Sequence, residues 1–349
     1  MDTTATARIN LSAIVQNWRS FAHPGVRVGA AVKADAYGHG MLPVAQALLR
    51  AGCGDFFVAH ESEGTALRAA LGPQARIVVL HGLMGDPGPA VRQHALIPVV
   101  NSLAQWQALH DAGLHTSPYA IMLDTGMNRL GLRAETFRAL APAFQATPPV
   151  LLMSHLACAD EADHPLNPAQ RNALQDASAL LPGVPLSLAN TAGRALGPAY
   201  ACDLIRPGLG LYHQPENHRH GLTLTAPVIA TGLARAGESV GYGATARLDR
   251  DTAIATVGLG YADGFPRSAS GKGFGVIDGV RLPILGRVSM DLITLDASRL
   301  PKPPSPGKPV EFIGPQAPLD LQANLAGTLG YELVSGLTAR VRRVYDPAH

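Results

Sequence analysis

The chain has 349 residues, of which 47% are hydrophobic and only 15% charged, and its formal net charge is +2 at pH 7. A single hydrophobic core stops growing at roughly 250 to 300 residues, so this length predicts two lobes, and the apolar share excludes an extended disordered protein. The charge balance excludes a nucleic-acid binder, because the densest basic cluster, Arg340, Arg342 and Arg343, alternates with apolar residues as a strand would.

The opening MDTTATARIN lacks the charged and then apolar order of a signal peptide. Longer apolar stretches are broken by Gly, Pro or charge before about 18 residues, so no membrane span is expected and the protein is assigned to the cytoplasm. Cys53, Cys158 and Cys202 form neither a CxxC pair nor a zinc pattern, which predicts three reduced thiols.

Between residues 25 and 213, short apolar runs alternate with segments of helical periodicity. In chain order the runs are VRVGAAVKA, DFFVAHE, ARIVVLH, LIPVVN, YAIMLDTG, VLLMSHLA, PLSLAN and LIRPGLGLY. Their number predicts an α/β fold with an N-terminal (β/α)8 barrel. The stretches between, such as MLPVAQALLRAG, ESEGTALRAALG, SLAQWQALHDAG and AETFRALAPAF, space Ala and Leu by three and four residues, as outer helices do. From about Thr223 short strands and Gly-rich turns follow, with no long helix between them, which predicts a mostly-β domain over 223–349 after a barrel over 1–222. The first ten or so residues are expected to pair with the β domain.

Barrel enzymes place their chemistry where strands end and βα loops begin. Lys33, Glu61, His81, Asn101, Asp124, His155, Asn190 and Arg206 all close or nearly close a predicted strand. Lys33 ends an otherwise apolar run, where an amine is costly unless it is paired, shifted in pKa or used covalently, and this favours a Schiff-base lysine. Asp35, Tyr37, Gly38, His39 and Gly40 then read as a polar start to a helix, suited to an anion. SLANTAG and RPGLGLY follow the seventh and eighth strands, where such barrels frequently bind phosphate, and their Thr hydroxyl and Gly amides suit that ligand. GLGYADG and GFGVIDG fail the spacing of a dinucleotide fingerprint and precede no helix. His213, His218 and His220 lie in a Pro- and Asn-rich loop, YHQPENHRHG, and no metal site is assigned there.

Taken with AVKADAYGHG (31–40), LDTGMNRLG (123–131), SHLACADE (154–161), RPGLGLY (206–212), GYADG (260–264), GRVSMD (286–291) and LGYE (329–332), the sequence resembles the alanine racemases over nearly its whole length. The resemblance implies a homodimeric isomerase that uses pyridoxal 5'-phosphate and interconverts L- and D-alanine, supplying D-alanine for peptidoglycan. It implies that Lys33 carries the cofactor and serves as one acid/base, while Tyr261 from the partner subunit is the other. Arg206 then faces the pyridine nitrogen, keeping its proton with a pKa above about 12, and His155 links Arg206 to Tyr261. Tyr37, Tyr331, Thr191, Gly208 and Leu209 gather at the cofactor phosphate, and Asn190 is a further cofactor-binding residue. Arg129 and the partner's Met290 bind the substrate carboxylate.

Three positions depart from the family pattern. Met122 stands where many members have a lysine, carbamylated in several of them, so Arg129 has lost that anionic neighbour. Ser289 replaces a common cysteine and Thr191 a common serine. Two other readings use the same residues: a broader or serine-preferring racemase, and a non-catalytic cofactor-binding protein. The second leaves Tyr261 and Met290 without a purpose. A related decarboxylase is disfavoured, since a carboxylate rather than Arg206 is expected opposite its pyridine nitrogen.

Overall fold

The computed structural model describes residues 4–214 and 219–347. Two contact units divide them: one is built from Ile14–Ala36 with Met41–Leu211, the other from the described parts of Met1–Ala13, Tyr37–Gly40 and Tyr212–His349.

In the first unit, short buried strands rich in Val, Ile, Phe and Ala follow one another in sequence order, as βα repeats dictate. Ala30–Ala31, Asp55–Val58, Arg76–Val79, Ile97–Val100, Ala120–Met122, Leu151–Met153 and Leu186–Ser187 form a seven-stranded sheet in which every pair is parallel. The eighth segment closes the ring. Asp203 N and Arg206 N donate to Leu186 O and Ala189 O on one side, while Arg27 N, Gly29 N and Ala31 N donate to Asp203 O, Ile205 O and Pro207 O on the other. The predicted helices form as Met41–Arg50, Glu61–Leu71, Leu103–Asp111 and Ala134–Ala146. Met41–Arg50 buries Val44, Ala45, Ala47 and Leu48, the three-and-four spacing that turns one face to the sheet.

One local expectation fails. The segment after Lys33 does not open a right-handed helix: Ala34, Asp35, Ala36 and Tyr37 all have φ between 52° and 54°, and the helix proper starts at Met41. Left-handed backbone costs an L-residue about 1–2 kcal/mol each, so side chains must hold this turn. Glu63 Oε1 accepts from Ala34 N at 2.7 Å and Asp35 Oδ1 from Met41 N at 2.7 Å.

The second unit is organised on the 13-residue strand Leu222–Ala234, whose first half alternates buried and half-buried residues. It pairs antiparallel with Thr6–Asn10, Pro309–Ile313 and Thr252–Val257, and Thr6–Asn10 also pairs in parallel with Arg342–Asp346. Phe265 and Phe312 meet edge to face, with centroids 5.3 Å apart, in its core. GFGVIDG is a hairpin, Phe274–Ile277 against Val280–Pro283, turned at Asp278-Gly279 with φ of 47° and 82°, as a two-residue primed turn requires. Two short helices, Leu319–Ala326 and Gly330–Ser335, interrupt a region expected to be strands. The strand assigned to the basic cluster is Arg342–Asp346, so Arg340 lies in the turn before it. Among the described residues no helix is long and apolar enough to cross a membrane.

Candidate active site

The barrel rim collects cations. Lys33 follows Val32, which is hydrogen-bonded to Phe57 of the neighbouring strand, and the amine is mostly withdrawn from water. Desolvation lowers its pKa, the nearby Arg129 lowers it further, and Glu63 partly opposes both. Glu63 is already engaged, because Oε2 accepts from Ala59 N and His60 N while Oε1 holds Ala34. His81 is held below its ordinary value by burial and by His60, Lys33 and Arg129, with Glu63 opposing, and its ring meets His60 edge to face at 4.7 Å.

Arg206 is buried at the end of the closing strand. Its Nε donates to Ser187 Oγ at 2.8 Å and its Nη2 to Ser154 O and Leu188 O, so three backbone or hydroxyl oxygens, and no carboxylate, hold the guanidinium. Nη1 makes no hydrogen bond among the described residues. Burial lowers Arg206 to about 10, below the value assigned from sequence, and it remains cationic at neutral pH. His155 is pushed down to about 3, chiefly by burial and then by Arg206, Arg129 and Lys33, so its imidazole is neutral. Among the described residues no hydrogen bond joins Arg206 to the His155 ring, and the Arg206 bonds to Ser187, Ser154 and Leu188 use only Nε and Nη2.

The two predicted phosphate loops do converge. Thr191 Oγ1 accepts from Gly208 N and Gly210 N, both at 3.1 Å, which leaves its own hydroxyl proton to donate elsewhere. A Cβ on Gly210 would lie 2.6 Å from Thr191 Cγ2 and 2.7 Å from Phe21 Cζ, so only glycine fits. Asn190 Oδ1 accepts from Gly193 N, and Leu209 opens the turn Leu209–Tyr212, where a first amide has no helical acceptor. The Gly208 amide, by contrast, is occupied by Thr191.

Other members of the strand-end ring serve structure. Asn101 is buried and donates to Leu80 O and Val99 O. Asp124 Oδ1 accepts from Gly126 N and Asn128 N, and Oδ2 lies 3.3 Å from Arg133, fixing the loop that carries Arg129. Met122 is buried at the end of its strand. Arg129 is exposed and has no ion pair among the described residues. The three cysteines are free thiols, and burial pushes Cys53 and Cys202 up to about 12 and 11.

In the second unit, Tyr37 packs against Tyr212 with centroids 5.0 Å apart. Burial and the neighbouring Tyr331 raise its phenol to about 12, so it stays a neutral donor. Tyr261 and Met290 are exposed, at 42% and 52%, on loops joined by bonds from Tyr261 N to Ser289 O and from Ala262 N to Met290 O, both 3.0 Å. His213 Nε2 donates to Asp320 Oδ2 at 2.9 Å and the ring sits 3.3 Å from His220, while His218 lies outside the described residues. No group of three or more His, Cys, Asp or Glu among the described residues is placed to hold a metal ion.

Sequence reasoning missed Glu63 and the serines that seat Arg206. A signal existed for each: Glu63 stands three residues after the strand-to-helix junction at His60, the spacing at which a carboxylate reaches back to free amides, and Ser187 interrupts an apolar strand.

A closed βα barrel with a partly desolvated lysine at the end of its first strand, followed along the chain by a β unit, defines the fold of a two-domain barrel enzyme. The chain belongs to the alanine racemase family: the family's N-terminal domain matches residues 9–215 and its C-terminal domain residues 221–345. A protein named alanine racemase from Cereibacter sphaeroides is 44% identical, covering 98% of each chain. One named alanine racemase, catabolic, from Mesorhizobium japonicum is also 44% identical, over 98% of this chain and 93% of the other. Among solved structures, alanine racemase from Bartonella henselae with covalently bound pyridoxal phosphate superposes with a TM-score of 0.93 at 36% identity, covering 99% of this chain and 100% of that one. The biosynthetic alanine racemase from Pseudomonas aeruginosa gives 0.90 at 37%, with the same coverage.

Proposed function

We propose that this chain is an alanine racemase that uses pyridoxal 5'-phosphate, with Lys33 and Tyr261 as its two acid/bases. The observation that carries the proposal is Lys33 itself: a mostly buried amine at the end of the first barrel strand, its pKa lowered by desolvation and by Arg129 against an opposing Glu63, with no ion pair among the described residues. The residues fit the cofactor. Arg206 keeps one guanidinium nitrogen unused beside a fully hydrogen-bonded remainder, which suits a ring-nitrogen acceptor, and Thr191 keeps one hydroxyl proton for a phosphate. When bound, pyridoxal 5'-phosphate supplies a conjugated ring that acidifies the α-hydrogen of an attached amino acid.

The protein's part is to move that hydrogen between two faces. Lys33 holds or accepts a proton at Nζ, and its lowered pKa keeps the amine available as a base. Tyr261 of the partner subunit holds or accepts one at its phenolic oxygen on the opposite face, which makes the homodimer the working form. Arg206 stays protonated, so it donates to the ring nitrogen without giving up a proton and moderates electron withdrawal. Tyr37 and Tyr331, with the Thr191 hydroxyl and the Leu209 amide, bind phosphate, while Gly208, whose amide is held by Thr191, and Asn190 line the cofactor site. Arg129 and Met290 of the partner subunit bind the substrate carboxylate. We place the enzyme in the cytoplasm, with D-alanine supplied to peptidoglycan.

The test is a chiral assay of purified enzyme with L-alanine and pyridoxal 5'-phosphate in heavy water, following D-alanine and α-deuterium. Wild type is expected to racemise, Lys33→Ala to lose at least about 10³-fold and Tyr261→Phe about 10²–10⁴-fold. Mixing the two variants is expected to restore about a quarter of the wild-type rate, because half the dimers then carry one intact site. Cofactor binding by wild type without exchange or inversion sinks the proposal.

A further inference from the structure

We infer that Arg340 is a positioning residue for Tyr261 and Met290, acting through Asp263 and Asp291; the inference rests on the two-base reading above. All five residues belong to the second unit. The turn Tyr261–Asp263 and the segment ending at Asp291 are already zipped by backbone bonds, and a Cβ on Gly260 would lie 2.2 Å from Met290 O. Asp263 is buried, and its Oδ2 accepts from Gly260 N at 2.8 Å, which fixes the residue just before Tyr261. Its Oδ1 lies 3.1 Å from Arg340 Nε. On the same guanidinium, Nη2 donates to Asp291 Oδ1 at 2.7 Å, one residue after Met290.

One planar side chain thus ties the loop of each proposed catalytic contact to the other. The segment that carries it adds two bonds, Thr338 N to Asp263 O and Thr338 Oγ1 to Ala262 O. The side chains of Tyr261 and Met290 are themselves exposed, so within the subunit their aim is set by the backbone beneath them. An error of about 1 Å in such aim costs about 10²-fold in rate. Lysine has no fork with which to meet two carboxylates from fixed directions.

The test separates the two faces. In holoenzyme at saturating alanine, α-deuterium uptake from heavy water is measured on each enantiomer separately, alongside racemisation, for wild type, Arg340→Ala, Arg340→Lys and Asp291→Asn. Expected for Arg340→Ala is a fall of about 10- to 100-fold in racemisation and in uptake by the enantiomer that depends on Tyr261. Uptake by the enantiomer that depends on Lys33 stays within about 3-fold. Arg340→Lys is expected to recover little, and Asp291→Asn, which removes only the exposed partner, to show the same asymmetry at about 3- to 10-fold. If Arg340→Ala does not fold, Asp291→Asn decides. Equal loss on both enantiomers, or no loss on either, overturns the inference while leaving the two-base reading intact. A wild-type enzyme that fails to racemise alanine overturns that reading instead.

Discussion

The two ends of the barrel treat charge in opposite ways. Where strand Asp55–Val58 begins, the buried Asp55 is gripped by Arg76 through two bonds of 2.6 and 2.7 Å and by Arg27 at 3.2 Å. Where the strands end, Lys33, Arg129 and Arg206 stand with neutral His155 among them, while Glu63 is turned to three backbone amides and Asp124 to two, with Arg133 beside it. Charge at the first end is paired within the fold. At the second, Lys33, Arg129 and Arg206 have no ion pair among the described residues, in keeping with the general division of such barrels into a stabilising and a catalytic face.

That contrast can be broken by measurement. Asp55→Ala is expected to cost about 2–3 kcal/mol, less than a fully buried pair because both arginines are half exposed, with kcat changed by less than about 2-fold. Urea unfolding and racemisation of the same preparation check it, and a lost kcat in folded protein would mean that this end is not merely structural.

The next effect comes from His155. Its folded pKa, about 3, lies below the ordinary 6.5, so between those values the unfolded chain binds the extra proton and stability falls as pH falls. From pH 7 to pH 5 this imidazole contributes a loss of about 2 kcal/mol. The loss should be absent in His155→Gln, as read from unfolding midpoints at the two pH values. Equal acid sensitivity in both proteins would show that the rim is more hydrated than its burial indicates.

The smallest effect has the opposite sign. Lys33→Met removes a like charge from Arg129 and a desolvated amine, so the cofactor-free protein should gain about 0.5–1 kcal/mol while activity vanishes. A destabilised variant would argue that Lys33 supports the fold.

Legibility followed the range of the interactions. The eight apolar runs were readable because strand and helix periods are local, and Lys33 was readable because an amine at the end of AAVK contradicts its surroundings. The left-handed turn over residues 34–37 was not: Ala, Asp and Tyr carry no signal for it, and the carboxylate that holds it, Glu63, comes from the next strand–helix junction. Arg206 was legible at the end of the eighth run and took its role from the family pattern, but its seat on Ser154, Ser187 and Leu188 depends on three strands meeting. Arg340 read as a strand residue because alternation continues through it, although its partners lie 77 and 49 positions away.

The few residues just past Lys33 depend on a distant part of the chain. A Cβ on Gly38 would strike Val334 O at 2.0 Å, one on Gly40 would strike the Tyr345 hydroxyl at 2.0 Å, and Arg343 Nε donates to Gly38 O across 305 positions. During synthesis these partners leave the ribosome long after Gly38, so the nascent barrel must wait with this loop unfinished. A chain stalled before residue 334 therefore lacks the long-range contacts of Gly38 and Gly40, and contacts so remote in sequence are slow to form.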